Sequence, residues 1–312
     1  MKNKLQIVYV LTSSADDVYL EQAYVSMCSV KRRMPHAFIT LITDTLTAET
    51  FMGVRKQEIK YADRVIVVRI LGDIDQLKRS RYLKTSVRKY IQGDFLLIDS
   101  DTIVVKSLAG ILSCRADIAA CCDLHADCFE ENPHRRSIVR LCKRLGFSSI
   151  ENEEQYFNAG VLFVRDTECA RDFFAMWHEG LVKGWARGIN KDQASFAQTN
   201  CRLNHPVKAL NGVWNCQLLF GMKYLRDAKV IHYFAPRMKK GDARPVFLLS
   251  DRTVLREIKS TGVIPEEILR IIDDPSRGIA PVTRTFAGKD VAFFKTCFYT
   301  GARGLAKWLK FI

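Results

Sequence analysis

At 312 residues, 48% hydrophobic and 26% charged, the chain is long enough to bury a full core and too apolar to be largely disordered, which leaves one large α/β domain with an appendage or two ordinary domains. Its net charge of +14 gives some surface a strong positive field, suited to nucleic acid, anionic lipid headgroups or phosphorylated substrates without choosing among them. Ten cysteines show no zinc-ribbon spacing, and reduced, mostly buried thiols are expected.

The first apolar stretch, seven residues from Ile7 to Ser13, is too short for a signal-peptide core or a membrane span, so a cytosolic protein is expected. Short β-branched runs at Leu5 to Leu11, Phe38 to Thr43 and Arg64 to Ile70 predict buried strands. Between them, Leu20, Ala23, Tyr24, Met27 and Val30 mark one face of a helix over 19–30, and Leu83, Val87 and Ile91 mark another over 82–91. A fourth strand, Phe95 to Ile98, runs directly into Asp99-Ser100-Asp101. Further strands are expected over 117–122, 160–164 and 230–234, helices over 172–181 and 193–198, and a helical, basic stretch after Pro245. Strands alternating with helices imply a mostly parallel sheet, and such sheets bind ligands at the carboxyl ends of their strands.

Two aspartates one residue apart at a strand end can both reach a divalent cation, and their hard oxygens suit Mg²⁺ or Mn²⁺. A solvated acidic turn is the plainer explanation. His232, inside the apolar run Val230-Ile231-His232-Tyr233-Phe234, is either a hydrogen-bonded core residue or an imidazole ligand beside the carboxylates. Asn158-Ala159-Gly160 offers an amide and a close-approach backbone, or simply opens a strand. Asp192-Gln193 can equally be a helix cap and first-turn residue.

Taken in order, LTSSADDVYLEQA, RYLKTSVRKYI, FLLIDSDTIVV, FNAGVLFVR, NKDQASF, VWNCQ and VIHY resemble bacterial members of glycosyltransferase family eight, relatives of glycogenin and of the lipopolysaccharide galactosyltransferases. The resemblance runs over roughly three quarters of the chain, from Leu5 to Lys240. It implies an α/β fold of the GT-A type, the nucleotide-diphospho-sugar transferase fold, in residues 1–245, and the helical, basic and aromatic residues over 246–312 are read as a C-terminal extension to it. It also implies Mn²⁺ (or Mg²⁺) held by Asp99, Asp101 and His232, and a UDP-sugar donor. Leu11, Thr12, Ser13 and Tyr19 would then meet the nucleoside and Ser100 the ribose. Lys84 would approach the pyrophosphate or sugar, Asn158, Gly160 and Asp123 the donor sugar, and Asp192 and Gln193 the anomeric carbon. After the late histidine the family pattern is broken: Ala235 stands for a glycine and Met238 for a lysine, leaving Arg237, Lys239 or Lys240 to supply the pyrophosphate charge, with Lys239 the residue assigned.

The implied reaction is transfer with retention of anomeric configuration, galactose or glucose favoured, to a bacterial surface glycan or glycolipid. Two other classes compete with it. LLIDSDT superficially resembles the nucleophile strand of aspartyl-phosphate phosphatases, but it is the fourth strand and no later paired-acid motif comes after it. A non-enzymatic basic binding protein would account for the charge but not for the clustering of Asp99, Asp101, Asn158, Asp192 and His232, and no nucleic-acid partner is expected. The last twenty residues interleave aromatics with cations and contain no acid, which predicts a segment lying on an anionic membrane or a helix packed back onto the domain.

Overall fold

The computed structural model describes residues 5–72, 74–218, 221–234 and 247–279, with Leu305, Trp308 and Leu309. Its centre is a seven-stranded sheet of β1 (Gln6–Leu11), β2 (Phe38–Asp44), β3 (Arg64–Val68), β4 (Phe95–Ile98), β6 (Ile118–Cys122), β7 (Phe157–Val164) and β8 (Val207–Leu210). The strand order is β3-β2-β1-β4-β7-β6-β8. All pairs are parallel except those made by β7, which runs antiparallel to both β4 and β6. A second sheet joins β5 (Thr102–Val104), β10 (Val230–His232) and β9 (Cys216–Gln217) in that order.

Alternating side chains of β1 supply two cores, as the two-residue period of a strand requires. Tyr9 packs with Leu41, Leu96 and Phe163 under helix α1 (Tyr19–Arg33), through Leu20, Ala23, Met27 and Val30. On the other face, Val8, Ile42, Leu97 and Leu162 meet Leu83 of α4 (Gln76–Ser86), Phe173, Phe174 and Trp177 of α6 (Glu168–Trp185) and Phe196 of α7 (Asp192–Arg202). Trp177 is fully buried, and its indole N–H donates to the Asp192 carbonyl at 2.9 Å, so it fixes where α7 begins. The shorter helices α2 (Thr45–Ala48) and α3 (Arg55–Glu58) fill the β2–β3 connection. Helix α5 (Arg135–Leu145) packs Val139, Cys142 and Leu145 against Tyr156 and against Ala194 and Ala197 of α7.

Two helices depart from the apolar pattern. α1 is buried all round from Leu20 to Val30, because its far side is covered by the second sheet and by α8 (Arg252–Thr261) and α9 (Glu266–Asp273). Tyr24 therefore leaves the stripe of Ala23 and Met27 and packs in this third core, with Ile258, Ile268 and Ile271. α4 starts at Gln76 and not near Tyr82, since Asp75 accepts from the Lys78 N–H at 2.8 Å and caps it, and it tightens to a 3₁₀ turn over Val87–Lys89. The nine described cysteines are free thiols. Among the described residues no helix is long and apolar enough to cross a membrane.

Candidate active site

The carboxyl ends of β1 and β4, the opening of β7, and the helices α4 and α7 surround a cleft of about 740 Å³. Reversal of β7 is what brings Asn158 and Gly160 to this rim: the Asp99 N–H donates to the Gly160 carbonyl at 2.8 Å and locks the two strand ends together. Just past β4 the chain crosses to the second sheet, where His232 pairs with Thr102 and so arrives beside Asp101. His232 Nε2 lies 3.1 Å from Asp101 Oδ1, and one ligand atom each from Asp99, Asp101 and His232 lie within 4.8 Å of one another.

A chain of buried amides sets the histidine's orientation. Asn158 Oδ1 accepts from the Gly160 N–H at 2.9 Å and from Asn215 Nδ2 at 2.9 Å, while Asn158 Nδ2 donates to Asp123 Oδ1 at 3.0 Å. With its amide nitrogen committed to Asn158, Asn215 turns its oxygen to His232 Nδ1 at 3.2 Å. Nδ1 thus meets the Asn215 oxygen, and Nε2 is the nitrogen turned to the Asp101 carboxylate. Gly160 makes room for the ring: a Cβ there would stand 2.5 Å from His232 Cε1.

Lys84 donates to both oxygens of Asp99, at 2.6 and 2.9 Å. Burial works against the lysine's charge, but Asp99, Asp192 and Asp101 overcome it and hold Lys84 above the ordinary range. Burial raises the Asp99 carboxyl even against the pull of Lys84. Asp101 is pushed up by burial too, yet the nearer His232 brings it below its usual value.

Leu11, Thr12, Tyr19, Lys84, Ser100, Asn158, Gly160, Asp192 and Gln193 line the same cleft as Asp99, Asp101 and His232. Ser13 does not line it. Its hydroxyl donates to Asp17 at 2.6 Å and accepts from Arg55 at 2.9 Å, so it shapes the turn after β1 from behind. Asp123 is also set back, buried beneath Asn158 and within 3.3 Å of Gln193 Nε2. Lys239, with Ala235, Arg237, Met238 and Lys240, lies outside the described residues, as does the tail from Phe293 apart from Leu305, Trp308 and Leu309, which are exposed.

Four site residues are not evident from the sequence. Arg81, three residues before Lys84 and so on the same helix face, reaches Asp192 at 3.3 Å. Gln76 clasps Thr12 through two bonds of 2.9 and 3.1 Å. Phe234 stacks on His232 at 3.9 Å between ring centroids. Asn215 sits within the VWNCQ landmark, with nothing local to show that it orients a histidine.

The family model for Glycosyl transferase family 8 matches residues 10–240. None of the curated proteins matches the chain. Among solved structures, galactosyltransferase LgtC in complex with donor and acceptor sugar analogues is 18% identical with a TM-score of 0.55, over 84% of this chain and 98% of LgtC. GlyE of Streptococcus pneumoniae TIGR4, in its apo form, is 17% identical with a TM-score of 0.52, over 83% of this chain and 64% of GlyE. The bifunctional glycosyltransferase WbbM is 16% identical with a TM-score of 0.53, over 78% of this chain but 48% of WbbM, so the chain spans about half of that protein's length. Neither the phosphatase reading nor that of a non-enzymatic binding protein survives these matches. With one family model covering about three quarters of the sequence and the LgtC fold matched nearly end to end, the protein is a glycosyltransferase of the GT-A fold and belongs to glycosyl transferase family 8.

Proposed function

We propose that the enzyme transfers a hexose, galactose or glucose, from a UDP-sugar to a bacterial surface-glycan acceptor with retention of configuration, using Mn²⁺ or Mg²⁺ held by Asp99, Asp101 and His232. One observation carries this reading: the Asn158–Asn215 relay turns Nε2 of His232 to two strand-end carboxylates, where a cation would take the place of the proton shared with Asp101. Two carboxylates and a neutral imidazole suit a hard to borderline divalent cation. The ring's room beside Gly160 fits the same assignment. That LgtC is a galactosyltransferase favours galactose.

The cation, when bound, supplies electrostatic stabilisation of the diphosphate leaving group. The chain's own residues do the rest. Lys84 and Arg81, on one face of α4, bring positive charge to the pyrophosphate side of the cleft. Lys239 adds to it from the sequence position after His232. Thr12, pinned by Gln76, and Tyr19 hold the nucleoside, and Ser100 faces the ribose. Asp192 and Gln193, at the start of α7, stabilise positive charge on the sugar or orient the acceptor hydroxyl, while Asn158 and Gly160 flank the donor sugar with Asp123 behind. A glutamine in the active site of LgtC is the position altered in another of its structures, which supports a role here for Gln193.

The basic and aromatic tail lies, in this reading, on an anionic membrane at the cytoplasmic face and brings the site to a glycolipid. Trp308, 78% exposed, is in keeping with that. The test of the donor site is calorimetric titration of UDP with and without Mn²⁺, on the intact protein and on Asp101→Ala. Mn²⁺-dependent binding that disappears in the variant is expected; failure of UDP to bind under any metal condition refutes the donor assignment.

A further inference from the structure

Away from the cleft, a second group of side chains has the make-up of a metal site. Glu153, just before β7, and Cys201 and His205, at the far end of α7, bring one ligand atom each within 4.8 Å of one another. His205 Nε2 lies 2.9 Å from Glu153 Oε2. The glutamate side chain is 7% exposed and the histidine 50%, so the cluster is closed on the protein side and open to solvent on the other. Asp192 and Cys201 stand at opposite ends of α7, about 14 Å apart along its axis, which separates this cluster from the catalytic cleft.

The histidine's backbone is over-determined. Asn204 and His205 both adopt positive φ, +59° and +60°, two successive left-handed residues without a glycine. The turn is held by the His205 N–H donating to the Asn200 carbonyl at 2.7 Å and by the Val207 N–H donating to Asn200 Oδ1 at 3.0 Å. It turns the imidazole back over the end of α7, toward the thiol of Cys201.

We infer that Glu153, Cys201 and His205 form a second metal site, selective for Zn²⁺, with water as the fourth ligand on the exposed side of His205. A thiolate, an imidazole and a carboxylate together select Zn²⁺ over the oxygen-loving Mg²⁺ or Mn²⁺ expected in the cleft. Tetrahedral bonds of roughly 2.0–2.3 Å need ligand atoms about 3.3–3.8 Å apart. The glutamate and histidine would thus separate by under about 1 Å and the widest pair would close by a similar amount, within the reach of side-chain rotation. Thiolate and carboxylate neutralise the ion, with the Cys201 proton released to solvent on binding. The ion would tie the end of α7 to the segment that leads into Asn158, and so bridge the two elements that carry Asn158 and Gln193.

The experiment loads the full-length Asp101→Ala protein, with the cleft site disabled, with Co²⁺ and separately with Zn²⁺. Expected are a thiolate-to-cobalt charge-transfer band in the near ultraviolet, one bound zinc per chain after dialysis, and a higher Tm with Zn²⁺. All three should be lost when Cys201→Ser is added, and zinc affinity should fall at least about tenfold with His205→Gln, which is exposed and leaves packing intact. Absence of the thiolate band, or a band and a zinc that persist in Cys201→Ser, overturns the assignment. Because the cleft is disabled throughout, neither result depends on the UDP-sugar reading.

Discussion

His232 Nδ1 lies 3.2 Å from Asn215 Oδ1, and that contact turns the other ring nitrogen to Asp101. Asn215→Ala should leave the fold in place and lower Mn²⁺-dependent UDP affinity by about 10- to 100-fold, the usual cost of removing a ligand's orienting partner. Calorimetry on the variant, with Asn215→Asp as the acceptor-preserving control, reads this directly.

Gly160 tests the space beside the same ring. A methyl group there would meet His232 Cε1 at 2.5 Å and Asn158 Oδ1 at 2.8 Å. Gly160→Ala is therefore expected to cost about 1–3 kcal/mol in stability and to weaken metal-dependent UDP binding at least about tenfold by displacing the imidazole. Thermal melts and titrations on one preparation separate the two effects.

Lys84 gives a prediction with opposite signs. Its ammonium occupies Asp99 through two short bonds, so it competes with a cation there while attracting a diphosphate. In Lys84→Met, Mn²⁺ alone should bind about tenfold more tightly and UDP in saturating Mn²⁺ about tenfold more weakly, as loss of a charge-assisted contact implies. Equal changes of one sign would contradict the assignment.

Glu58 carries a pH dependence remote from the cleft. Burial, reinforced by the charge of Glu21 and by a hydrogen bond to it, raises its carboxyl from 4.5 to about 8. Between those values the folded state keeps a proton that the unfolded chain releases, so this contribution to stability is full below about pH 4.5 and is lost as pH rises through 8. Glu58→Gln should match the parent near pH 5 and melt roughly 2–5 °C higher near pH 8.5, as circular dichroism melts at the two values would show.

Much of this architecture is legible in the residues alone. The runs that form β1, β2 and β4 are apolar enough to belong in a sheet's interior, and an acid pair directly after FLLI points to a strand-end ligand site. The direction of β7 is not legible, because FNAGVLFV alternates no differently read either way and its sense depends on where the preceding segment crosses. The placement of the Ser13 hydroxyl is hidden for a related reason: its partner Arg55 is 42 residues away, and no local pattern shows that the hydroxyl turns inward. Asn215 is the same case with a larger consequence. The expected boundary after residue 245 has no motif to mark it, and residues 247–279 share a core with α1 and the second sheet.

The reversed strand also fixes how firmly the floor of the cleft is held. The chain enters β7 at the rim where β1 and β4 leave the sheet, and the pairing from Phe95–Val164 to Ile98–Val161 anchors the strand there. With the Asp99 N–H bonded to the Gly160 carbonyl at the end of that ladder, the two residues do not shift independently. The acid pair and the opening of β7 thus form one rigid floor under the cleft.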